Sequence, residues 1–369
     1  MRVVKNISWF LYKVFAVYSI LVFVLVYFTP SSHWIAGFMM MSFPVVILLN
    51  LGFLFYALLV KPTQAVLPVC IIALSMVFLP RTYSFNFSSK PEGQPDTGKN
   101  FKILNYNVAG FWTPGQKNKD LHEVEMRQMR RWMVKTGADV LCLPEYYSNP
   151  GNERVDVNAF FKEAGFKYKS VTDFHSPGER RDYFGLVLLS KYPIVHAKDT
   201  SFTETNGIAL ADIKIGKDTV RVIGVHLFSM TLRLRTLVEQ RKLPGLKKES
   251  KKVLTSMRKG FSQRGVQIET LMSWIKSSPY PVIVCGDFNE VPYSYVYGKT
   301  RDLLSNAFEE KGSGFGFSFN GIPYFIRIDN QFFTPDRLNL TNFATIDSVD
   351  YSDNYPLLGT YQVKSKEKN

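Results

Sequence analysis

The sequence predicts an α/β or α+β domain behind an N-terminal membrane piece. Three observations point there. Residues 1–80 carry four basic residues (Arg2, Lys5, Lys13, Lys61) and no Asp or Glu. From residue 101 onward, short alternating or apolar runs of strand length dominate, with helical periodicities interspersed. Polar residues recur where those runs end: Asn107, Glu145, His226, Asp287 with Asn289, Asp329 and Asp353. With 369 residues, 46% apolar and 21% charged, the chain is not a disordered polymer, a collagen or a coiled coil. All 31 acidic residues lie beyond residue 80 against 41 Lys and Arg, so that part is basic by about +10. Three cysteines (Cys70, Cys142, Cys285) are too few and scattered for a disulfide framework or a zinc site. Cys142 and Cys285 fall in core strands and read as inert buried thiols.

Three apolar stretches make up residues 1–80, the membrane anchor. Trp9–Phe28 carries one charge, Lys13. Trp34–Val60 is longer and contains Pro44 and Asn50. Ala65–Leu79 contains Pro68 and reaches spanning length only with Thr63 and Gln64 counted. The first stretch is too long for a cleaved signal peptide, and no small-residue cleavage site follows it. Arg2, Lys5 and Lys61 against a first linker without Lys or Arg put the N-terminus and Lys61 on the cytoplasmic side. Three spans then place the rest of the chain outside the cytoplasm. The alternative is two spans with a re-entrant third segment and a cytoplasmic domain. Arg81 at the outer end argues weakly for that alternative. No acidic residue or charge pair marks an ion pathway, so the piece reads as an anchor.

Residues 81–100, rich in Ser, Pro, Gly and Asn, read as a linker. The domain then runs over 101–365. Phe101–Val108 alternates as a strand. Leu121–Thr136 has helical spacing. Ala138–Pro144 is a short apolar strand ending at Glu145, and Val155–Ala164 is a second helix. Gly185–Ser190, Ile208–Ile215 and Val220–Leu227 are strands, the last carrying His226. A long basic helical region follows, which Pro244-Gly245 should break. Pro281–Cys285 runs into Gly286-Asp-Phe-Asn289, and Phe325–Phe333 and Leu358–Val363 close the domain as strands.

Each strand-end residue has an ordinary explanation by itself. Asp287-Phe-Asn289 fits an Asx-capped turn, Glu145 a solvated loop carboxylate, His226 a hydrogen-bonded structural residue. Together they suggest one convergent polar site beyond strand ends. Carboxylates and amides without thiolates are hard oxygen donors, suited to Mg²⁺ or Mn²⁺ rather than zinc. Metal-assisted phosphoester hydrolysis is the natural chemistry for such a cluster, and a basic surface draws in an anionic phosphate-ester substrate.

Six ordered motifs carry a resemblance: Asn105-Tyr-Asn107-Val, Leu143-Pro-Glu145, Gly224-Val-His226-Leu, Gly286-Asp287-Phe-Asn289, Arg327-Ile-Asp329 and Ser352-Asp353-Asn354. Over residues 100–365 the chain resembles the endonuclease/exonuclease/phosphatase superfamily, with its DNase I-like fold. The resemblance implies a four-layer α/β sandwich of two mostly antiparallel sheets flanked by helices. It also implies a metal side of Asn107, Glu145 and Asp353, with Mg²⁺ (or Mn²⁺) on Glu145. His226 would bond the scissile phosphate or act as an acid. Asp287 would position the attacking water or a second ion, and Asn289 would stabilise the pentacovalent phosphate. Asp329 would orient a catalytic histidine. Membrane-anchored bacterial relatives share this layout, which implies a multi-pass inner-membrane protein.

One departure bears on mechanism. The family pattern ends in Ser-Asp-His, whereas this chain has Asn354 in place of the histidine. An amide hydrogen-bonds a phosphate but carries no proton near pH 7. The expectation is therefore a metal-dependent phosphodiesterase, with a binding protein of impaired activity as the alternative. His175, in a polar loop, is the one other histidine in reach by sequence, and reads by default as a surface residue.

Between His226 and Asp287, residues 233–264 hold eleven Lys and Arg and two acids. Three readings stand for this insertion: a solvated helical face, a surface for anionic lipid headgroups, and a track for nucleic-acid phosphates. Leucines interleaved with the charges suit an interfacial helix. Phe261 is the only aromatic residue in it, which weakens base stacking. The aromatic run Gly314–Phe319 reads either as a loop at the mouth of the site or as strand packing. No obligate protein partner is inferred.

Overall fold

The computed structural model describes residues 2–86, 99–111, 119–172, 183–229, 243–321 and 325–364. The N-terminal region contains helices α1 (Arg2–Phe28), α2 (Trp34–Met41), α3 (Phe43–Val60), α4 (Val66–Ser75) and α5 (Leu79–Thr82). Among the described residues, three segments are long and apolar enough to cross a membrane: Asn6–Phe28, Phe43–Val60 and Pro62–Thr82. The second is shorter than the sequence suggests, because the chain breaks at Ser42. Pro44 cannot donate into the preceding turn, and Ser42 ends α2 with its backbone N–H on Phe38 and Met39 carbonyls. Asn50 is a helix–helix fastener. It accepts from Tyr12 Oη at 2.8 Å and donates to Ser19 Oγ at 3.1 Å and to the Val46 carbonyl at 2.8 Å, the way polar side chains join apolar helices.

The strands are β1 (Ser84–Phe85), β2 (Asn100–Asn105), β3 (Val140–Ser148), β4 (Tyr168–Val171), β5 (Tyr183–Ser190), β6 (Ile194–Ser201) and β7 (Gly207–Ile215). They continue with β8 (Asp218–His226), β9 (Val282–Asp287), β10 (Ser305–Asn306), β11 (Ser313–Gly314), β12 (Asp329–Phe333), β13 (Leu338–Thr345) and β14 (Leu357–Val363). Two six-stranded sheets result, ordered β13-β14-β2-β3-β5-β4 and β10-β12-β9-β8-β7-β6. Each has one parallel pair at its centre, β2/β3 and β8/β9, and is otherwise antiparallel. Helices α6 (Lys119–Lys135) and α7 (Val157–Glu163) belong to the first sheet. Helices α8 (Leu243–Lys276), α9 (Tyr295–Arg301) and α10 (Ala307–Lys311) follow the second.

Three apolar layers hold this sandwich. Ile103, Val140, Cys142 and Leu188 of one sheet meet Ala209, Val222 and Cys285 of the other. The outer face of the second sheet buries Ile268, Leu271 and Trp274 of α8. The first sheet covers Met126, Met129 and Phe161 of α6 and α7. Both parallel pairs end at the same edge. The antiparallel neighbours β12 and β14 begin there, and this topology gathers the strand ends.

Several expectations need correction. Residues 81–100 are not a simple linker. Thr82 ends α5, and Ser84–Phe85 pair with Ser313–Gly314; residues 87–98 lie outside the described residues. Pro44 splits the Trp34–Val60 stretch. Phe325–Phe333 is a strand only from Asp329. Pro244-Gly245 does not break the basic helix but lies in its first turn, where proline's missing N–H has no partner to lose. Residues 233–242 and His175 lie outside the described residues.

The helical region is docked on the domain. Phe43 stacks on Tyr293 with centroids 4.4 Å apart, and Thr82 Oγ1 shares a hydrogen bond with Tyr293 Oη at 2.8 Å. Arg327 donates to the Arg81 carbonyl at 2.9 Å. The Arg81 guanidinium reaches the Val26 carbonyl at 3.2 Å, so this charge is held inside the junction. Phe38 meets Phe261 edge-on at 5.2 Å, and Arg258 lies over Trp34. Gly298 faces Thr29 so closely that a Cβ would come within 2.2 Å of Thr29 Cγ2.

Candidate active site

Strand β2 delivers Asn107 two residues past its end. The parallel ladder continues there, with Tyr106 N–H on the Cys142 carbonyl and Val108 N–H on the Pro144 carbonyl. Glu145 sits at an irregularity in the pairing of β3 with β5, between Leu143 and Tyr146. Pro144 has no N–H for the ladder, and Glu145 takes φ +54°, a left-handed conformation uncommon for a non-glycine residue. The bulge turns the carboxylate toward the neighbouring strand ends.

From the second sheet, His226 and Asp287 are register partners at the ends of β8 and β9. The two strands pass so closely that Gly286, at φ +134°, would put a Cβ 2.1 Å from the Val225 carbonyl oxygen. Asp287 Oδ1 accepts the Asn289 N–H at 2.8 Å. The turn expected for Asp287-Phe-Asn289 is therefore present. The other carboxylate oxygen remains for the site.

The contacts join four strand ends. Asn107 Nδ2 donates to Glu145 Oε1 at 3.2 Å and to Asp287 Oδ2 at 3.1 Å. Its Oδ1 accepts the Ala109 N–H at 3.1 Å. His226 Nδ1 bonds the Thr205 carbonyl at 2.7 Å. A carbonyl only accepts, so that nitrogen carries hydrogen. The buried Nε2 has no hydrogen-bond partner and faces Glu145 Oε1 at 3.6 Å. Asn289 is adjacent, with its amide on the Leu227 carbonyl at 3.1 Å.

A second cluster adjoins the first. Asp329 is the register partner of Asp287 and is fully buried. Its N–H and that of Ile328 both donate to Ser318 Oγ. Asn354 Nδ2 donates to Asp329 Oδ2 at 2.7 Å. Asp329 Oδ1 is buried without a partner. Asp353 precedes Asn354, and its carbonyl accepts the Asn320 N–H at 2.9 Å.

Electrostatics tie the clusters together. Burial lifts Asp287 above the usual carboxylate range and Glu145 adds to the lift, while His226, the Asn107 amide and the Asn289 N–H pull it back. Asp329 is lifted well above that range, first by burial and then by Asp287, against the Asn354 and Ser318 hydrogen bonds. Asp353 is raised by burial and then by Glu145 and Asp287. Carboxylates that raise one another mark a place short of positive charge, and the donors are hard oxygens that fit Mg²⁺ or Mn²⁺. Among the described residues, no three His, Cys, Asp or Glu side chains form a group able to hold an ion by themselves. A Mg²⁺ ion commonly fills its shell with water and substrate oxygens instead.

Sequence reasoning missed Thr205, which fixes the His226 tautomer, and Ser318, which seats Asp329. Thr205 acts through its backbone carbonyl, so its side-chain identity gives no signal. Ser318 lies inside the aromatic run Gly314–Phe319. Arg264 was counted with the basic surface but is fully buried, on Glu290 Oε1 at 2.8 Å and the Phe228 carbonyl at 2.8 Å.

Two mixed sheets flanked by helices, with a carboxylate–amide–imidazole site at their common edge, define a phosphoesterase-type fold. The chain belongs to the Endonuclease/Exonuclease/phosphatase family, which it matches over residues 104–353. Members are typically metal-dependent phosphodiesterases. Residues 5–82 match a Domain of unknown function (DUF8431). No curated protein matches the chain. Among solved structures, it is similar to an endonuclease/exonuclease/phosphatase family protein from Bacteroides thetaiotaomicron, with 13% identity, 74% of this chain and 98% of that one covered, and TM-score 0.50. A family protein from Beutenbergia cavernae has 14% identity, 72% of each chain covered and TM-score 0.48. The human Nocturnin catalytic domain has 14% identity, 73% and 96% covered, and TM-score 0.49.

Proposed function

We propose that this chain is a membrane-anchored phosphodiesterase that uses Mg²⁺ or Mn²⁺. The observation that carries the reading is the Asn107 amide bridging Glu145 and Asp287, with His226 beside them, from four separate strand ends. Glu145 and Asp353, with Asn107, would hold the ion. When bound, the ion supplies charge neutralisation at the phosphate and lowers the pKa of a bound water.

The chain's own groups do the rest. A water oxygen forms a new bond to phosphorus, and one ester P–O bond breaks, giving a phosphomonoester and an alcohol. Asp287, with a carboxyl of raised proton affinity, takes the water's proton. His226, its Nδ1–H tied to the Thr205 carbonyl, presents Nε2 to the phosphate and protonates the departing alkoxide as an imidazolium. Asn289 and Asn354 donate amide hydrogens to the phosphate oxygens. The three apolar segments anchor the chain. The basic N-terminus and Lys61 favour an orientation that puts the domain outside the cytoplasm, in a bacterial inner membrane.

Hydrolysis of bis(p-nitrophenyl) phosphate by the full chain in detergent tests this reading. Turnover that needs Mg²⁺ or Mn²⁺, stops with EDTA and is lost in Glu145→Ala supports it. Equal rates for wild type and Glu145→Ala refute it. The second reading, a binding protein of impaired activity, is favoured by Asn354, which cannot carry a proton. Metal-dependent binding of a phosphodiester without turnover would select that reading.

A further inference from the structure

We infer that the substrate is a membrane lipid phosphodiester whose acyl chain lies in a groove between the anchor and the domain; this rests on the phosphodiesterase reading. The groove encloses about 280 Å³. One wall is Phe43, Ile47 and Leu48 of α3; the other is Met76 and Leu79 of the third apolar segment. Both walls come from segments long and apolar enough to cross a membrane, so the surrounding medium is acyl chain. Tyr293 and Phe315 of the domain also line it.

Phe315 is also part of a second cavity of about 500 Å³, with Phe317, Phe319, Asn320 and Tyr355. That cavity borders the catalytic segment. Phe319 bridges to Asn354, and Asn320 holds the Asp353 and Ser352 carbonyls. An aromatic track joins the two spaces. Tyr83, the residue after α5, meets Phe315 edge-on at 4.9 Å; Phe315 stacks on Phe317 at 5.2 Å; Phe317 meets Phe325 at 5.5 Å. Phe315 and Phe325 are 49% and 74% exposed, which is costly in water and favourable against a lipid surface, into which phenylalanine rings bury. A soluble diester would use none of these surfaces. A lipid uses them all, with its chain in the groove and its phosphate at Asp353 and Asn354.

The test compares hexadecyl p-nitrophenyl phosphate with ethyl p-nitrophenyl phosphate, in the same detergent micelles, on the full chain. The wild type should prefer the hexadecyl diester in kcat/KM. Leu48→Trp, which fills the groove from an exposed position, should cut that preference by about tenfold. Leu59→Trp, on α3 but outside the groove, should leave it alone. Micellar partition is common to the variants, so the change in ratio reports the groove. Equal rates on the two diesters, or a ratio indifferent to Leu48→Trp, overturns the inference and leaves the phosphodiesterase reading standing. A hexadecyl phosphodiester with a diazirine on the chain reads the groove without turnover. Adducts concentrated at Met76 and Phe315 support the seating of the chain in the groove; absence of cleavage of both diesters sinks the phosphodiesterase reading and, with it, the lipid as substrate. Adducts spread evenly over the exposed faces of α1 and α3 overturn the inference.

Discussion

Asn354 donates its amide hydrogen to Asp329 Oδ2 at 2.7 Å, and this contact occupies the place where the family pattern puts an Asp–His pair. In the proposed mechanism Asp329 is the orienting carboxylate. It is fully buried, held by Ser318 and lifted well above its ordinary proton affinity. The group it orients cannot exchange a proton. Asn354→His should therefore raise kcat on a soluble diester by up to about 10²-fold, the lower end of what a positioned acid or base supplies. A new ionisation between about pH 6 and 7 should appear in the kcat profile. A rate within about twofold of wild type would show that a histidine at this position adds nothing to the proton transfers assigned to His226 and Asp287.

Metal should stabilise the fold, and increasingly so as pH rises. The folded-state affinities of Asp287 and Asp353 for protons are raised. Without metal, these groups favour the folded state below their unfolded pKa of about 3.9 and lose that contribution as pH climbs through the raised folded values. A divalent ion held by Glu145 and Asp353 favours the ionised forms of both Asp353 and the neighbouring Asp287, which reverses the sign. The rise in Tm on adding Mg²⁺ should thus be larger at pH 8 than at pH 5, and absent in Glu145→Ala. At about 100 times Kd, binding would contribute about 2.7 kcal/mol. An equal shift at both pH values would count against carboxylate ligation.

The strand ends were legible because each carries a polar residue straight after an apolar run, a pattern that survives in one dimension. What brings them together was not legible. The register of His226 with Asp287 depends on Gly286, whose close approach to Val225 has no local signal beyond the glycine itself. β6, reading Ile194–Ser201, is mostly exposed and polar, so this edge strand has no apolar run to announce it. Leu338–Thr345 keeps a partial alternation that a bulge after Leu340 interrupts. The docking of the N-terminal helices on the domain rests on contacts such as Phe43 with Tyr293, 250 residues apart, which no window of sequence contains.

That docking makes a stability prediction. Gly298→Ala places a methyl group 2.2 Å from Thr29 Cγ2, and overpacking of this kind costs about 1–3 kcal/mol. The melting temperature of the full chain in detergent should fall by several degrees. Gly216→Ala, at a turn with φ +63° and no neighbour within 4 Å, separates backbone strain from the steric clash. A melting curve for Gly298→Ala that overlays wild type would mean the helices and the domain are not packed as described.

Arg264 and Glu290 form a buried pair at 2.8 Å that belongs to the interior even though Arg264 lies in the most basic stretch of the chain. Burial pushes the Glu290 carboxyl up and the Arg264 charge pulls it back. Removing one partner leaves the other charge uncompensated, so Arg264→Met should destabilise the fold by about 3–5 kcal/mol. The double variant Arg264→Met/Glu290→Leu should recover most of that loss, because an apolar pair of similar volume avoids the desolvation cost. Lys251→Gln and Lys252→Gln lie on the exposed face of α8 and should change stability by less than about 0.5 kcal/mol. Chemical denaturation of the four proteins separates the cases. Were Arg264→Met as stable as Lys251→Gln, the arginine would be a surface charge after all, free to meet an anionic partner.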